Sequence, residues 1–80
     1  MDKPQIDYID HRSILLINPS GAIKQLFCPF KVKVVTDTAI LKIDSYVYVD
    51  EVKQHRKHLL LYRIGSNWWT YDLFMIVATF

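Results

Sequence analysis

Glycine and cysteine are scarce in this 80-residue chain, and each shortage excludes a class of protein. Two glycines leave no Gly-rich loop of the kind that cradles phosphates. The single cysteine, Cys28, is unlike the paired cysteines of small secreted domains, so we expect a reducing, cytoplasmic location. No basic segment followed by an apolar run opens the sequence, so no signal peptide is expected.

Long apolar runs and helical stripes are missing as well. The longest apolar runs, residues 14–17 and 73–78, fall short of the roughly 20 residues that a membrane-spanning helix needs. No segment has the 3.6-residue apolar period of a helix. We therefore expect no membrane partner and a single all-β domain over residues 13–80. Residues 1–12 are poorly specified, and docking of Ile6, Tyr8 and Ile9 on the body of the domain is left open.

Short strand-like runs separated by turn signals are what the sequence does contain. The clearest is SILLI followed by Asn18-Pro19-Ser20-Gly21 and then AIKQLF. Proline presets φ at the second turn position, and glycine tolerates positive φ at the fourth. The pattern predicts a β-hairpin over residues 13–27, followed by an interruption at Cys28-Pro29, because proline has no N–H to donate.

The rest of the chain repeats this rhythm. Residues 30–36 alternate strictly, with Phe30, Val32 and Val34 on one face and Lys31 and Lys33 on the other. Residues 39–43 are ambiguous and favour a loop. Further strands are predicted over residues 46–52, 58–64, 68–71 and 75–77, with a basic loop at 53–57, a tight turn at 65–67 and one helical turn at 72–74.

From Leu41 onward the order of these features resembles an SH3-like barrel of the bacterial type. The matching pieces are LKIDSYVYV, KQHRK, HLLLYRI, GSN, WWTY, DLF and MIV. With residues 32–35 as a first strand, the resemblance covers about residues 31–80. It implies a small SH3-like barrel of about five strands, to which the predicted hairpin is an N-terminal addition.

The resemblance does not extend to proline-rich peptide recognition. The peptide-binding members carry an aromatic run near the start of the domain, and residues 36–41 contain no aromatic residue. They also carry a proline near the last helical turn, where this chain has Leu73.

Aromatic residues are the first candidates for a binding surface. Trp68 and Trp69 are adjacent, so on a strand they point to opposite faces, one toward the core and one toward solvent. If valines of residues 46–52 face inward, Tyr46 and Tyr48 form an exposed stripe, to which we add Tyr62 and Tyr71. An aromatic anchor in an interface and an ordinary cross-strand aromatic ladder both fit this pattern.

A short basic cluster at residues 53–58 is the second candidate. It would attract anionic partners with an affinity that falls as salt rises, although solvated hairpin tips often carry such charges. In a meander, the cluster and the aromatics would share one patch. The predicted binding residues are Tyr46, Tyr48, Lys53, Arg56, Lys57, Trp68, Trp69 and Tyr71.

Catalytic and metal-binding patterns are not recognisable. His11, His55, His58 and Cys28 do not have the spacing of a zinc site. Asp50 and Glu51 are sequential, so their carboxylates diverge on a regular strand. Cys28 precedes a proline in an apolar run, where a buried, inert thiol is expected. We expect no enzyme, no metal, no cofactor and no small-molecule substrate.

The leading hypothesis is a small non-enzymatic protein-interaction module, with a homodimer as one form of the interaction. The alternative is a nucleic-acid or nucleoprotein binder, including a small phage or mobile-element protein that obstructs a host machine. A structural domain of a larger assembly is a third hypothesis.

Overall fold

The computed structural model describes residues 5–56 and 59–78, and within these ranges the chain is all-β, as predicted. One 3-10 turn, Tyr71–Leu73, is present, and no helix of the described residues is long and apolar enough to cross a membrane. The strands of these ranges are β1 Gln5–Asp10, β2 Ser13–Ile17, β3 Ile23–Phe27, β4 Phe30–Val34, β5 Tyr46–Val49, β6 Glu51–Arg56, β7 Leu59–Ile64, β8 Asn67–Thr70 and β9 Phe74–Ile76.

The strands form three antiparallel sheets of three strands each. Sheet I has the order β1-β2-β3, sheet II the order β5-β4-β9, and sheet III the order β6-β7-β8. Strand pairing does not join these sheets into a closed barrel within residues 5–56 and 59–78.

The N-terminal segment differs from its prediction. Residues 5–10 form β1, which pairs with β2 and sets Ile6 opposite Leu16 and Tyr8 opposite Ile14. Ile6 and Tyr8 are half-buried and pack against the core. Ile6 and Tyr8 alternate with polar residues, but this alternation is too short to identify a strand from the sequence alone. The strand forms because β2 offers its apolar face for pairing. Residues 1–4 lie outside the described ranges.

Asp10 organises the connection between β1 and β2. Its Oδ1 accepts hydrogen bonds from the backbone N–H of Arg12 at 2.8 Å and from the hydroxyl of Ser13 at 3.0 Å. These two bonds, that of Arg12 first, hold the pKa of the Asp10 carboxyl below its ordinary value.

The predicted hairpin is confirmed, with β2 and β3 paired from Ser13↔Phe27 to Ile17↔Ile23. The N–H of Gly21 donates to the carbonyl of Asn18 at 2.9 Å, and Asn18 Oδ1 accepts the N–H of Ala22 at 2.8 Å. Gly21 has φ +90°, the positive value for which the turn requires glycine.

The predicted strand over residues 46–52 and the loop over 53–57 are both corrected. The strand breaks at Asp50, because β5 pairs with β4 while β6 pairs with β7. Lys53 and Arg56 belong to β6, so the basic cluster up to residue 56 is part of a strand and not a loop. Long cationic side chains are tolerated there because β6 is an edge strand with one face in solvent. Lys57 and His58 lie outside the described residues.

Strand β4, the turn between β7 and β8 and the 3-10 turn lie close to their predicted positions. Phe30, Val32 and Val34 of β4 are buried, as the alternation predicted. The turn between β7 and β8 holds Gly65 at φ +64°, and the 3-10 turn begins at Tyr71, one residue earlier than expected.

Tyr62 lies in the centre of the core, although the sequence suggested a surface position. Its ring centroid is 5.5 Å from that of Phe30 and 5.9 Å from that of Phe74. Its buried hydroxyl has no hydrogen-bond partner in the described part of the chain, and burial raises the pKa of this phenol far above its ordinary value. The buried apolar residues are Ile14, Leu16, Phe30, Val32, Val34, Val49, Val52, Leu60, Tyr62 and Phe74.

Gly21→Val tests the hairpin turn. Apart from the two neighbouring residues of the chain, no atom lies within 4 Å of the position that a Cβ would take, so the cost is backbone strain and not a clash. We expect the free energy of unfolding to fall by about 1 kcal/mol in urea denaturation. Ala22→Val, at the exposed neighbouring position, is the matched control and should change it little. Equal stability of both variants would exclude the strained turn.

Tyr62→Phe tests the unpartnered hydroxyl. A buried polar group without a partner costs about 1–3 kcal/mol, and phenylalanine retains the ring contacts with Phe30 and Phe74. We expect the free energy of unfolding to rise by about 1 kcal/mol and the melting temperature by about 4–8 °C. A clear loss of stability would reveal a partner for the hydroxyl.

Candidate interaction surfaces

The outer face of sheet II exposes two tyrosines side by side. Tyr46 and Tyr48 of β5 are each 54% exposed, while Val47 and Val49 between and beside them point toward the core. The antiparallel register places Lys33 opposite Tyr46 and Lys31 opposite Tyr48. We call this surface the tyrosine face.

Strand β9 extends the tyrosine face on the other side of β4. Met75 lies opposite Lys33 and is 44% exposed, and the N–H of Val77 donates to the carbonyl of Lys31 at 3.2 Å. Directly opposed residues of an antiparallel pair lie on one face of the sheet. Exposed apolar side chains therefore flank the two lysines from both neighbouring strands.

Both lysines of the tyrosine face contact groups of the same protein. The ammonium of Lys31 lies 4.7 Å from the centroid of the Tyr46 ring, in cation–π geometry. The ammonium of Lys33 lies 3.4 Å from Asp44 Oδ1. These contacts orient the positive charge along the sheet and cover one side of the Tyr46 ring.

The outer face of sheet III carries the exposed tryptophan. Trp68 of β8 lies opposite Arg63 of β7, which lies opposite Glu51 of β6. The Arg63 Nε donates to Glu51 Oε1 at 3.0 Å, and the ammonium of Lys53 reaches to 5.9 Å from the Trp68 ring centroid. We call this surface the tryptophan face.

The two tryptophans point to opposite faces, as predicted. Trp69 lies opposite Tyr62 and packs against the core, while Trp68 is 42% exposed. Tyr71, in the 3-10 turn, is half-buried and also packs against the core. Trp69 and Tyr71 therefore do not extend the exposed aromatic surface.

The predicted binding residues divide between two sheets, which corrects the assumption of one meander. Tyr46 and Tyr48 belong to sheet II, whereas Lys53, Arg56 and Trp68 belong to sheet III. Arg56 is exposed near the end of β6, and the predicted residue Lys57 is outside the described residues.

Sequence reasoning missed Lys31, Lys33 and Met75 as surface neighbours of the tyrosines. The signal was present for the lysines, since both were predicted to point away from the core. Only the pairing of β4 with β5 on one side and with β9 on the other brings the three residues to the tyrosine face.

The acidic residues Asp50 and Glu51, and the thiol of Cys28, show no catalytic or metal-binding arrangement in the part of the chain that the structure describes. No group of three His, Cys, Asp or Glu side chains is arranged to hold a metal ion in residues 5–56 and 59–78. Asp50 Oδ2 accepts the N–H of Gly65 at 3.3 Å, and Glu51 pairs with Arg63. Cys28 is half-buried, and desolvation raises the pKa of its thiol, which disfavours the reactive thiolate.

Comparisons of this chain with protein-family models, with curated proteins and with solved structures find no match. The two faces and the chemistry of their residues therefore carry the functional proposal.

Proposed function

We propose that this chain is a small non-enzymatic protein-interaction module that binds a protein partner through the tyrosine face, with a second copy of itself as one such partner. The observation that carries the proposal is the exposure of Tyr46, Tyr48 and Met75 on one face of sheet II, where β4 lies between the tyrosines and Met75. Contiguous exposed apolar residues mark interaction sites on small proteins, and tyrosine is enriched among the residues that dominate binding energy.

The positions of the cations favour a protein partner over a nucleic acid. Base stacking needs an open ring face, and Lys31 covers one side of Tyr46. Lys33 is neutralised by Asp44, as Arg63 is by Glu51 on the tryptophan face. Such partnered charges at the rim would tune the rate of association more than its affinity.

We further propose that residues 30–76 have an SH3-like arrangement to which sheet I is added. Three features support it: β4 pairs with both β5 and β9, β6 to β8 form a meander, and a 3-10 turn precedes the last strand. In this proposal the module works in the cytoplasm, without a cofactor or a small-molecule substrate.

Tyr46→Thr combined with Tyr48→Thr tests the tyrosine face. Threonine retains the β-propensity of both positions, so the double variant should keep its fold. Loss of about 2 kcal/mol at a binding hot spot would weaken association roughly thirtyfold. We expect this loss for self-association measured by sedimentation, or for binding to a partner identified by cross-linking.

The cross-linking experiment places a photoreactive phenylalanine at position 48 in cells that produce the protein. The same residue at Gln25, which is exposed on sheet I, is the matched control. Adducts to a protein from position 48 alone would support the proposal, and their mass distinguishes a second copy from another protein. Equal adducts from both positions, or none from position 48, would contradict it.

Nucleic-acid binding remains the second candidate because of the tryptophan face. There the ammonium of Lys53 lies 5.9 Å from the ring centroid of the exposed Trp68. Such pairs occur in proteins that bind single strands through a basic groove and stacked bases.

A labelled single-stranded oligonucleotide separates the two candidates. For a protein-interaction module we expect binding no tighter than the non-specific range of about 10⁻⁴–10⁻⁶ M at physiological salt, measured by fluorescence anisotropy. Tighter binding would favour the second candidate. In that case the slope of log K against log salt concentration should fall in magnitude by about 0.7 for each phosphate contact that Lys53→Gln or Arg56→Gln removes.

A further inference from the structure

A cleft of about 570 Å³ lies between β1 of sheet I and β9 of sheet II. Its walls include four consecutive residues of β1, from Gln5 to Tyr8, and three consecutive residues of β9, from Phe74 to Ile76. Successive side chains of a strand point to opposite faces, so a cleft that touches consecutive residues borders the backbone edge of the strand. The cleft is therefore flanked by two strand edges.

Neither edge is paired on the cleft side within the described residues. Strand β1 pairs only with β2, and β9 pairs only with β4. Exposed strand edges present a row of N–H and C=O groups that another strand can bind.

The hydrogen-bond pattern of sheet I identifies the backbone groups on the β1 side. The N–H of Asn18 donates to the carbonyl of Ala22, and the N–H of Cys28 donates to the carbonyl of Arg12. Both bonds connect β2 or a residue next to it with the β3 side of the hairpin, and on the β2 side both use an even-numbered residue. Bonded and non-bonded positions alternate in an antiparallel pair, so odd-numbered residues of β2 bond to β1.

The same alternation then applies along β1. Asp7 lies opposite Leu15, an odd-numbered residue, so the backbone groups of Asp7 face β2. Those of Ile6 and Tyr8 point the other way, away from β2 and toward the free edge. Both residues line the cleft.

Strand β9 presents a corresponding set. The bonds Val77 N–H to Lys31 and Val35 N–H to Leu73 show that odd-numbered residues on this strand face β4. The backbone of Phe74 and Ile76 therefore points away from β4. Since the Phe74 N–H donates to the carbonyl of Tyr71, the Phe74 carbonyl and both groups of Ile76 remain on the free edge.

The cleft has an apolar floor and an acidic rim. Leu60 and Phe74 line it and are buried, while Ile6 and Tyr8 contribute half-buried side chains. The charged residues among its described lining are Asp7 and Asp72, both acidic, although the chain carries a net charge of +2. An apolar segment with positive charges would complement this arrangement.

We propose that this cleft binds an extended segment of another protein by strand addition, with Lys or Arg side chains alternating with apolar ones. The segment would donate to and accept from the free edge groups of Ile6, Tyr8 and Ile76. Its apolar side chains would cover Leu60 and Phe74, and its cations would meet Asp7 and Asp72. The site is distinct from the tyrosine face, although Met75 borders both, and does not depend on the function proposed for that face.

A synthetic hexapeptide of alternating valine and lysine, blocked at both ends, is the probe. Its effect on the full chain is followed by NMR of the ¹⁵N-labelled protein. We expect shift changes and slowed amide exchange concentrated at Ile6, Tyr8 and Ile76. Two matched peptides serve as controls, one with glutamate in place of lysine and one N-methylated at alternate residues to remove its donors. Both should bind at least tenfold more weakly than the probe.

Variants of the rim test the charge complementarity. Asp7→Asn combined with Asp72→Asn should weaken the valine–lysine peptide about tenfold. Ala22→Lys combined with Ser66→Lys produces the same change in net charge at exposed positions outside the cleft lining and should leave binding unchanged. Equal weakening by both pairs would show a mere net-charge effect and would overturn the proposal.

Three further results would overturn it: no binding of the probe at millimolar concentration, equal binding of the N-methylated peptide, or shift changes confined to the tyrosine face. The Tyr46→Thr, Tyr48→Thr variant separates the two sites, because neither residue lines the cleft. This variant should bind the probe like the wild type. A negative result with the peptide would therefore leave the proposal for the tyrosine face unaffected, and a negative result for the tyrosine face would leave the proposal for the cleft unaffected.

Discussion

The architecture depends on the break at Asp50, where the chain leaves sheet II and enters sheet III. The N–H of Asp50 donates to the carbonyl of Arg63 at 2.8 Å, and its carboxylate accepts the N–H of Gly65. Val49 and Val52, on either side of the break, are both fully buried. Two inward residues three positions apart are incompatible with a regular strand, so the irregularity lets both sheets contribute to one core. It also separates the tyrosines of β5 from the cations of β6.

Local signals in the sequence were sufficient for the hairpin and for β4. Asn18 and Gly21 define a turn by their own chemistry, and the alternation of β4 is visible without any partner. The break at Asp50 has no such signal, because it arises from the change of pairing partner between β4 and β7. The charges of Lys53 and Arg56 suggested a loop for the same reason, since the sequence does not reveal that β6 is an edge strand.

The candidate surface was predictable in composition but not in arrangement. Period 2 put Tyr46 and Tyr48 on one face and separated Trp68 from Trp69, but left open which face of the tyrosine strand is exposed, and the structure shows that the tyrosines are. Tyr62 also follows period 2, but it lies on the inner face of β7, the central strand of sheet III, and this face belongs to the core. The neighbours Lys31 and Met75 join the tyrosines only through non-local pairing, which depends on the whole fold.

Exposed apolar residues alone do not identify a binding site in a chain this small, because a domain of 80 residues cannot cover all of its apolar surface. Ile23 and Phe27 are more exposed than the tyrosines but lie at the two ends of β3, separated along it by Gln25. The tyrosine face differs because Tyr46 and Tyr48 are neighbours on one face of β5, and Met75 lies on the same face across β4. The cleft differs because its apolar floor lies between two strand edges that no other strand of residues 5–56 and 59–78 pairs.

The acidic rim of the cleft has a further consequence for the choice of partner. An open strand edge is a hazard, because it can pair with the same edge of another copy. If two copies met through β1, the Asp7 side chains of both would be brought near one another, and like charges close together oppose such pairing. The same carboxylates attract a segment that carries lysine or arginine. The rim of the cleft would therefore discourage self-association at this site while favouring a basic strand from a different protein, which is how one set of charges can protect an edge and select its ligand.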